Sequence, residues 1–202
     1  MRRKRSEITR RDLSVALALG IAGCIDRSDD GGSDETEEAE ANNPALSEAT
    51  QEGDLRLTSP VFDDGEGIPD EYGYDEANVN PPLEIGGVPD DAESLVLVMD
   101  DPDAVEPAGQ IWVHWLVWNV PLETSTIPEG WNPTDAVEGE TDFDDIGYSG
   151  PNPPDETHTY RIKLYALDTV LDLEEGSTVD ALGEAMDGHV VARTQLTGTY
   201  AP

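Results

Sequence analysis

The chain has 202 residues, a length that suits one folded domain with a tail, and its 45 Asp and Glu against 11 Lys and Arg give a formal net charge of −34. This charge excludes nucleic acid as a natural partner, because phosphate backbones need a basic surface. The single Cys excludes an internal disulfide framework and every multi-Cys metal site.

Residues 1–23 predict a signal peptide for export. This segment holds six basic residues, and Thr9–Val15 (TRRDLSV) resembles the twin-arginine motif. The apolar run Leu13–Ile21 is too short to span a bilayer, which needs roughly 20 residues in a helix. It ends in Ile21-Ala22-Gly23-Cys24, which resembles a lipobox. We therefore expect a lipid on Cys24 that anchors the exported protein to the outer face of the cell membrane. The alternative is a stray buried thiol.

Residues 24–53 predict a disordered acidic tether behind that anchor. Residues 26–50 hold nine acidic residues and one basic residue, hardly any large apolar side chain and no helical or strand period. Such a chain of about 25 residues spans roughly 25–30 Å and holds a domain clear of a headgroup layer. A purely solubilising tail is the alternative function for this segment.

The acidity continues beyond the tether and has two interpretations. Disorder of the whole chain is disfavoured, because Trp112, Trp115, Trp118 and long aliphatic runs can build a core. The other interpretation is a folded domain with a solvated acidic surface, and the composition resembles that of halophilic archaeal proteins. Self-repulsion of this size destabilises a compact state, and strong salt screens it. We therefore expect the fold to be lost at low salt.

Residues 54–202 predict a mostly β domain, with apolar runs bounded by Pro- and Gly-rich loops. The run Ile111–Val120 is apolar on both faces, which indicates a central strand. In Thr159–Asp168, strict alternation predicts that Arg161, Lys163 and Tyr165 face outward. Their neighbours then face the core: Tyr160, Ile162, Leu164 and Ala166. The other predicted elements are strands at Ser94–Met99 and Ala192–Tyr200 and a helix that begins near Ser177-Thr178, with Val179, Leu182 and Met186 on one stripe.

Several polar residues interrupt or end these strands. His114 is the one titratable residue inside an apolar strand, Asp101 follows another strand, and His158 shares the core-directed face with Tyr160. The loop Gly147–Pro151 between the two histidines can expose backbone N–H groups. Together these groups predict a small polar pocket. Taken singly, His114 is more often a satisfied core residue, and an acid beside Pro102 is more often a turn former.

The order and spacing of these motifs resemble those of the phosphatidylethanolamine-binding protein family, and most closely its bacterial and archaeal, Raf-kinase-inhibitor-like branch. The resemblance covers residues 54–202. The segments that carry it are Ser59–Phe62, Asn80–Leu83, Asp101–Ala104 (DPDA), His114-Trp115, Asn119–Pro121, Gly147–Pro154, His158–Tyr160 (HTY), Tyr165–Asp168 and Leu196–Tyr200. One departure is Val105, which stands where a proline usually follows DPDA.

This resemblance implies a fold of two packed antiparallel sheets with a few peripheral helices. It also implies a small pocket that binds phosphate-like anions and phosphorylated headgroups, without a cofactor or a metal. The ligand-binding residues carried over by motif are Asp101, His114, His158 and Tyr160, with Gly147, Tyr148, Gly150 and Pro151 as a wall and His189 near the pocket.

In such a pocket Asp101 favours the protonated form of His114 or His158, which then donates charge-assisted hydrogen bonds to phosphate oxygens. The resemblance therefore implies a binding module and not an enzyme. In some members of the family such a module regulates an enzyme by binding. The first alternative is a metal-dependent or other hydrolytic enzyme that uses the His and Asp side chains of the pocket. The second alternative is a structural surface protein. The sequence identifies no protein partner.

Overall fold

The computed structural model describes residues 43–47, 49 and 51–202. The predicted signal peptide, Cys24 and the first part of the tether therefore lie outside the described residues. In the described part, the strands are β1 (Arg56–Thr58), β2 (Leu83–Gly86), β3 (Ser94–Asp101), β4 (Trp112–Val120), β5 (Thr126–Ile127), β6 (Val137–Glu138), β7 (His158–Leu167) and β8 (Val190–Tyr200). The helices are the 3₁₀ turns Asp70–Tyr72 and Pro102–Ala104 and the α-helices α1 (Val105–Ala108) and α2 (Val179–Met186).

The strands form two antiparallel sheets, as predicted. A small sheet has the order β1-β2-β5, and a large sheet has the order β6-β4-β3-β7-β8. The first core cluster joins them: Leu57 and Ile85 of the small sheet pack with Leu97, Trp115 and Leu164 of the large one. The expected mostly β fold of two packed sheets is confirmed.

A second core covers the opposite face of the large sheet. Val98 and Leu116 of the sheet pack there against Leu182 and Met186 of α2, whose N-cap is Thr178 as the sequence predicts. Because both faces are covered, all eight residues of β3 are buried. Strands that are buried on both faces carry near-continuous apolar runs, which accounts for the sequence of β3.

The prediction that Lys163 and Tyr165 face solvent is wrong, since both are fully buried in the structure. Lys163 Nζ bonds to Asp100 Oδ2 at 2.6 Å, and Arg161 donates to both carboxylate oxygens of Asp100 at 2.7 Å. Successive side chains of β7 point to the two faces of the sheet, and both faces are buried. The alternation of apolar and polar residues therefore did not indicate a solvent-exposed face.

Residues 43–47 cover this buried ion cluster, so the packed domain begins before the predicted boundary at residue 54. Ala45 and Leu46 are buried in the second core. Their backbone carbonyls accept hydrogen bonds from Lys163 Nζ and Arg161 Nη2, and Tyr165 donates its hydroxyl proton to the carbonyl of Pro44 at 3.0 Å. The described end of the predicted tether is thus held by buried cations and a phenol, a contact that its local composition does not encode.

No helix within the described ranges is long and apolar enough to cross a bilayer.

Candidate ligand-binding site

A cavity of about 200 Å³ opens where β3 ends and β4 and β7 begin. Because β3 pairs antiparallel with both β4 and β7, these three strand termini lie side by side at one end of the central strands of the large sheet. Most of the lining is apolar, and the polar groups converge from the strand ends. The lining residues are Asp101, Ala104, Pro107, Ala108, Trp112, His114, Phe143, Asn152, Pro154 and His158. A concave apolar site with a few convergent polar groups is typical of small-ligand sites.

Asp101 is fixed by the turn that ends β3. Its Oδ1 accepts hydrogen bonds from the backbone N–H groups of Asp103 at 2.9 Å and Ala104 at 3.2 Å, so that it caps the turn Pro102–Ala104. Because the carboxylate is held through Oδ1, its Oδ2 stays in place to bond His158. The DPDA sequence therefore builds both the turn and one side of the cavity.

His158 is buried between two carboxylates. Its Nδ1 donates to Asp101 Oδ2 at 2.7 Å, and its Nε2 donates to Asp155 Oδ1 at 3.0 Å. Burial lowers the pKa of His158, but the hydrogen bonds and charges of Asp101 and Asp155 outweigh burial and raise the pKa above its ordinary value. His158 is therefore the protonated histidine of the site.

His114 has the opposite electrostatic character. In the pairing of β3 with β4, Met99 pairs with Trp115 and Asp100 pairs with Val113, so His114 has no partner residue on β3 and forms a β-bulge. A β-bulge changes the direction in which the side chain points. Its Nδ1 donates to the carbonyl oxygens of Ser149 at 2.8 Å and Gly150 at 3.0 Å. Burial lowers the pKa of His114, although these carbonyls and Asp101 oppose the shift. A neutral ring with its proton on Nδ1 leaves Nε2 as an acceptor. The sequence left open whether Asp101 favours the protonated form of His114 or of His158, and the raised pKa belongs to His158.

The loop Gly147–Pro151 positions His114 and does not line the cavity. The N–H groups of Gly147, Ser149 and Gly150 bond to Gly139 O, His114 O and Asn78 Oδ1, so the prediction that this loop offers them to a ligand is wrong. Tyr148 also turns away, since its hydroxyl donates to the carbonyl of Tyr72 and its ring packs on Trp115. The wall is instead formed by the next residues of the chain, Asn152 and Pro154.

Tyr160 lies behind the cavity wall. Its ring contacts that of His114 edge-on, with centroids 5.1 Å apart. Its hydroxyl is buried close to Asp101 and to the backbone of Asn152. Burial and Asp101 raise the pKa of Tyr160, which favours the protonated hydroxyl.

His189 is not part of the site. Its Nδ1 bonds to Asp168 Oδ1 at 2.8 Å, and its carbonyl accepts from Asp168 N, just beyond the last residue of β7. His158 is the first residue of that ten-residue strand, so at about 3.3 Å per residue the two histidines are roughly 30 Å apart. The prediction that His189 lies near the pocket is wrong, and helix α2, which precedes it, determines its position.

Sequence reasoning missed Phe143, which lines the cavity, and Asp155, which bonds to His158 from a neighbouring groove. Asp155 stands three residues before His158, and Phe143 is an isolated aromatic residue in an acidic loop. Phe143 packs against the rings of His114, Trp112 and Tyr74. The aromatic character of Phe143 amid acidic residues was the one available signal, whereas nothing local distinguishes Asp155 from the other surface acids.

The charges around the cavity are mostly negative. Four Lys and Arg side chains lie within residues 51–202: Arg161 and Lys163 pair with Asp100, Arg193 pairs with Glu52, and Arg56 lies on β1. In the described part of the chain, no group of three or more His, Cys, Asp or Glu side chains is arranged to hold a metal ion. The positive charge next to the cavity therefore comes from His158.

Two packed sheets and a cavity that contains the Asp101–His158 pair are the features of a β-sandwich domain that binds small ligands. The sequence model of the phosphatidylethanolamine-binding proteins matches residues 58–201. The chain therefore belongs to the phosphatidylethanolamine-binding protein family.

Relatives that match over nearly their whole length support this assignment. A UPF0098 protein of Methanothermobacter thermautotrophicus is 42% identical over 151 residues, which cover 72% of this chain and 98% of that protein. The UPF0098 protein YbhB of Escherichia coli is 33% identical over 160 residues, which cover 73% of this chain and all of that protein. The crystal structure of a phosphatidylethanolamine-binding protein homologue from Chlamydia trachomatis gives a TM-score of 0.70 at 42% identity, covering 74% of this chain and 98% of that one.

Proposed function

We propose that this domain is a binding module whose cavity holds a phosphorylated headgroup or a similar small anion that carries phosphate. The observation that carries the proposal is the buried Asp101–His158 pair at the cavity wall. Its 2.7 Å bond and the raised pKa of His158 place a positive charge in a site of about 200 Å³, which suits a group of headgroup size.

The polar groups have separate roles in this binding. Protonated His158 donates a charge-assisted hydrogen bond to a phosphate oxygen, which is stronger than a bond between neutral groups. The protonated hydroxyl of Tyr160 lies behind the wall next to Asp101 and adds a second donor to this region. Neutral His114 offers an acceptor that suits an ammonium or a protonated phosphate oxygen. A headgroup that carries both phosphate and ammonium matches this set better than a simple anion does.

The module gains little from long-range attraction. A protein with a formal net charge of −34 repels anions, and no cationic patch lies beside the cavity in residues 51–202. Binding therefore depends on the short-range bonds of His158. Strong salt screens the repulsion while leaving a buried contact less affected, so the proposed binding tolerates high ionic strength.

Calorimetric titration with phosphoethanolamine tests the proposal. His158→Ala and His114→Ala are expected to weaken binding by about tenfold or more, because hydrogen bonds to charged groups contribute roughly 1.5–3 kcal/mol. His189→Ala is the matched control: it removes the same type of side chain at the far end of β7 and should leave the affinity unchanged. Equal affinities in all four proteins would refute the assignment of the site.

We also propose that the domain works at the outer face of the cell membrane, anchored through a lipid on Cys24. The support is the twin-arginine and lipobox patterns of the sequence. The test is fractionation of cells that express the protein or its Cys24→Ser variant. The proposal expects the unaltered protein in the membrane fraction and the variant in the soluble exported fraction. Equal distributions would contradict it.

A further inference from the structure

The outer nitrogen of His158 already has a partner from the same chain. Nδ1 is held by Asp101, whose side chain is 4% exposed, whereas Nε2 bonds to Asp155, whose side chain is 52% exposed. The hydrogen bond between His158 Nδ1 and Asp101 is therefore buried in the domain. The outer bond joins a buried histidine to a surface carboxylate that solvent can reach.

The side chain of Asp155 can also rotate away from His158 without a change in the rest of the fold. It belongs to a surface loop in which Pro154, Glu156 and Thr157 are exposed, and its second bond is local, from the backbone N–H of Glu156 at 2.8 Å. The strand that follows is held separately, because Thr159 N donates to Asp103 Oδ2 at 2.7 Å. A rotation of the Asp155 side chain therefore does not require β7 to move.

Asp155 does not line the cavity itself but a neighbouring groove, which shares His158 and Pro107 with the cavity. Its carboxylate oxygen, 3.0 Å from Nε2, occupies the position that a phosphate oxygen bonded to Nε2 would take. Nε2 carries a single proton on the side that Asp155 occupies, so a phosphate oxygen and the carboxylate oxygen compete for it. We propose that Asp155 is an internal competitor for the anion position at His158, and that it thereby determines which ligands the site accepts. This inference rests on the proposed function.

Displacement has a consequence for specificity. When a phosphate oxygen takes Nε2, the carboxylate of Asp155 stays next to the bound anion and repels it. An ammonium group on the same ligand neutralises the displaced carboxylate. Asp155 therefore selects zwitterionic aminophosphates over simple phosphate, by adding a repulsive element against the wrong ligand.

The experiment compares inorganic phosphate with phosphoethanolamine by calorimetric titration of the whole exported chain. Asp155→Asn removes the charge and keeps the shape, and Glu156→Gln, at the exposed neighbour, is the matched control for net charge. We expect Asp155→Asn to tighten phosphate binding about fivefold, the upper range for an exposed ion pair, and to narrow the preference for phosphoethanolamine. Glu156→Gln should change both affinities by less than twofold.

The outcomes separate the two proposals. If binding depends on His158 but Asp155→Asn leaves phosphate affinity unchanged or weaker, the competitor role is overturned and the site stands. An equal gain from Glu156→Gln also overturns it, because net charge then accounts for the effect. If no variant binds either probe in a His158-dependent way, the proposed function fails, and the competitor role fails with it.

Discussion

Replacement of Lys163 by Met is predicted to remove a pH-dependent part of the stability. Lys163 is fully buried. Burial lowers its pKa from 10.5 to about 8, an effect that Asp100 opposes and Arg161 enhances. In the unfolded chain the same side chain titrates at its ordinary value. Between these two values the unfolded state binds more protons than the folded state.

The sign and size of the effect follow from that difference. Where the unfolded state binds more protons, the free energy of unfolding rises with pH. The penalty for a charged Lys163 is fully present below pH 8 and is relieved as the pH rises toward 10.5. At about 1.4 kcal/mol for each pKa unit, the full relief is roughly 3 kcal/mol, most of it between pH 8 and 10. Met is uncharged and fills a similar volume, so Lys163→Met lacks this rise.

The assay is urea unfolding followed by tryptophan fluorescence at pH 7 to 10, in one strong-salt buffer. Burial also raises the pKa of Tyr165, which destabilises the fold at the alkaline end, but this effect is common to both proteins and cancels in their difference. Arg56→Met, which removes an exposed cation, is the control and should follow the wild-type curve. Parallel curves for Lys163→Met and the wild type would refute the reasoning.

Two further substitutions test the contacts that position the site and the N-terminal cover. A Cβ at residue 150 would lie 2.3 Å from the carbonyl oxygen of Tyr72, so Gly150→Ala is expected to lower the free energy of unfolding by about 1–3 kcal/mol. The same substitution is expected to weaken phosphoethanolamine binding, because it moves the carbonyl of residue 150 that accepts a hydrogen bond from His114. Unchanged melting and affinity would contradict this. Leu46 is 4% exposed, so Leu46→Ala is expected to cost about 2–3 kcal/mol in urea unfolding. A loss below about 0.5 kcal/mol would show that residues 43–47 are not packed in solution.

Much of the fold could be predicted because its elements carry local patterns. The run Ser94–Met99 predicts β3 within two residues, and the helix beginning after Thr178 follows from a capping residue and an apolar stripe. The predicted last strand differs from β8 by two residues at its start. The spacing of the DPDA, HW and HTY motifs was sufficient to identify the family and to place Asp101 and His158 in one site.

The protonation states at that site could not be predicted from the sequence. Both histidines occur within strands near a carboxylate in the sequence, yet the pKa of His158 is raised and that of His114 is lowered. The difference arises because the ladder skips His114 and turns its Nδ1 to two carbonyl oxygens, whereas His158 stands between two carboxylates. A bulge depends on the register of the partner strand, which is a long-range property.

The sequence by itself determined four strands of the large sheet, the family and the polar residues Asp101, His114 and His158 of the cavity, because these depend on hydrophobic period, turn residues and motif spacing. The tertiary structure alone decided that the cation-bearing face of β7 is buried beneath residues 43–47, that His189 lies at the far end of β7, and that Asp155 bonds to His158. These facts depend on which segments meet across the sheet. Contacts between residues distant in sequence leave no local pattern that composition or periodicity can report.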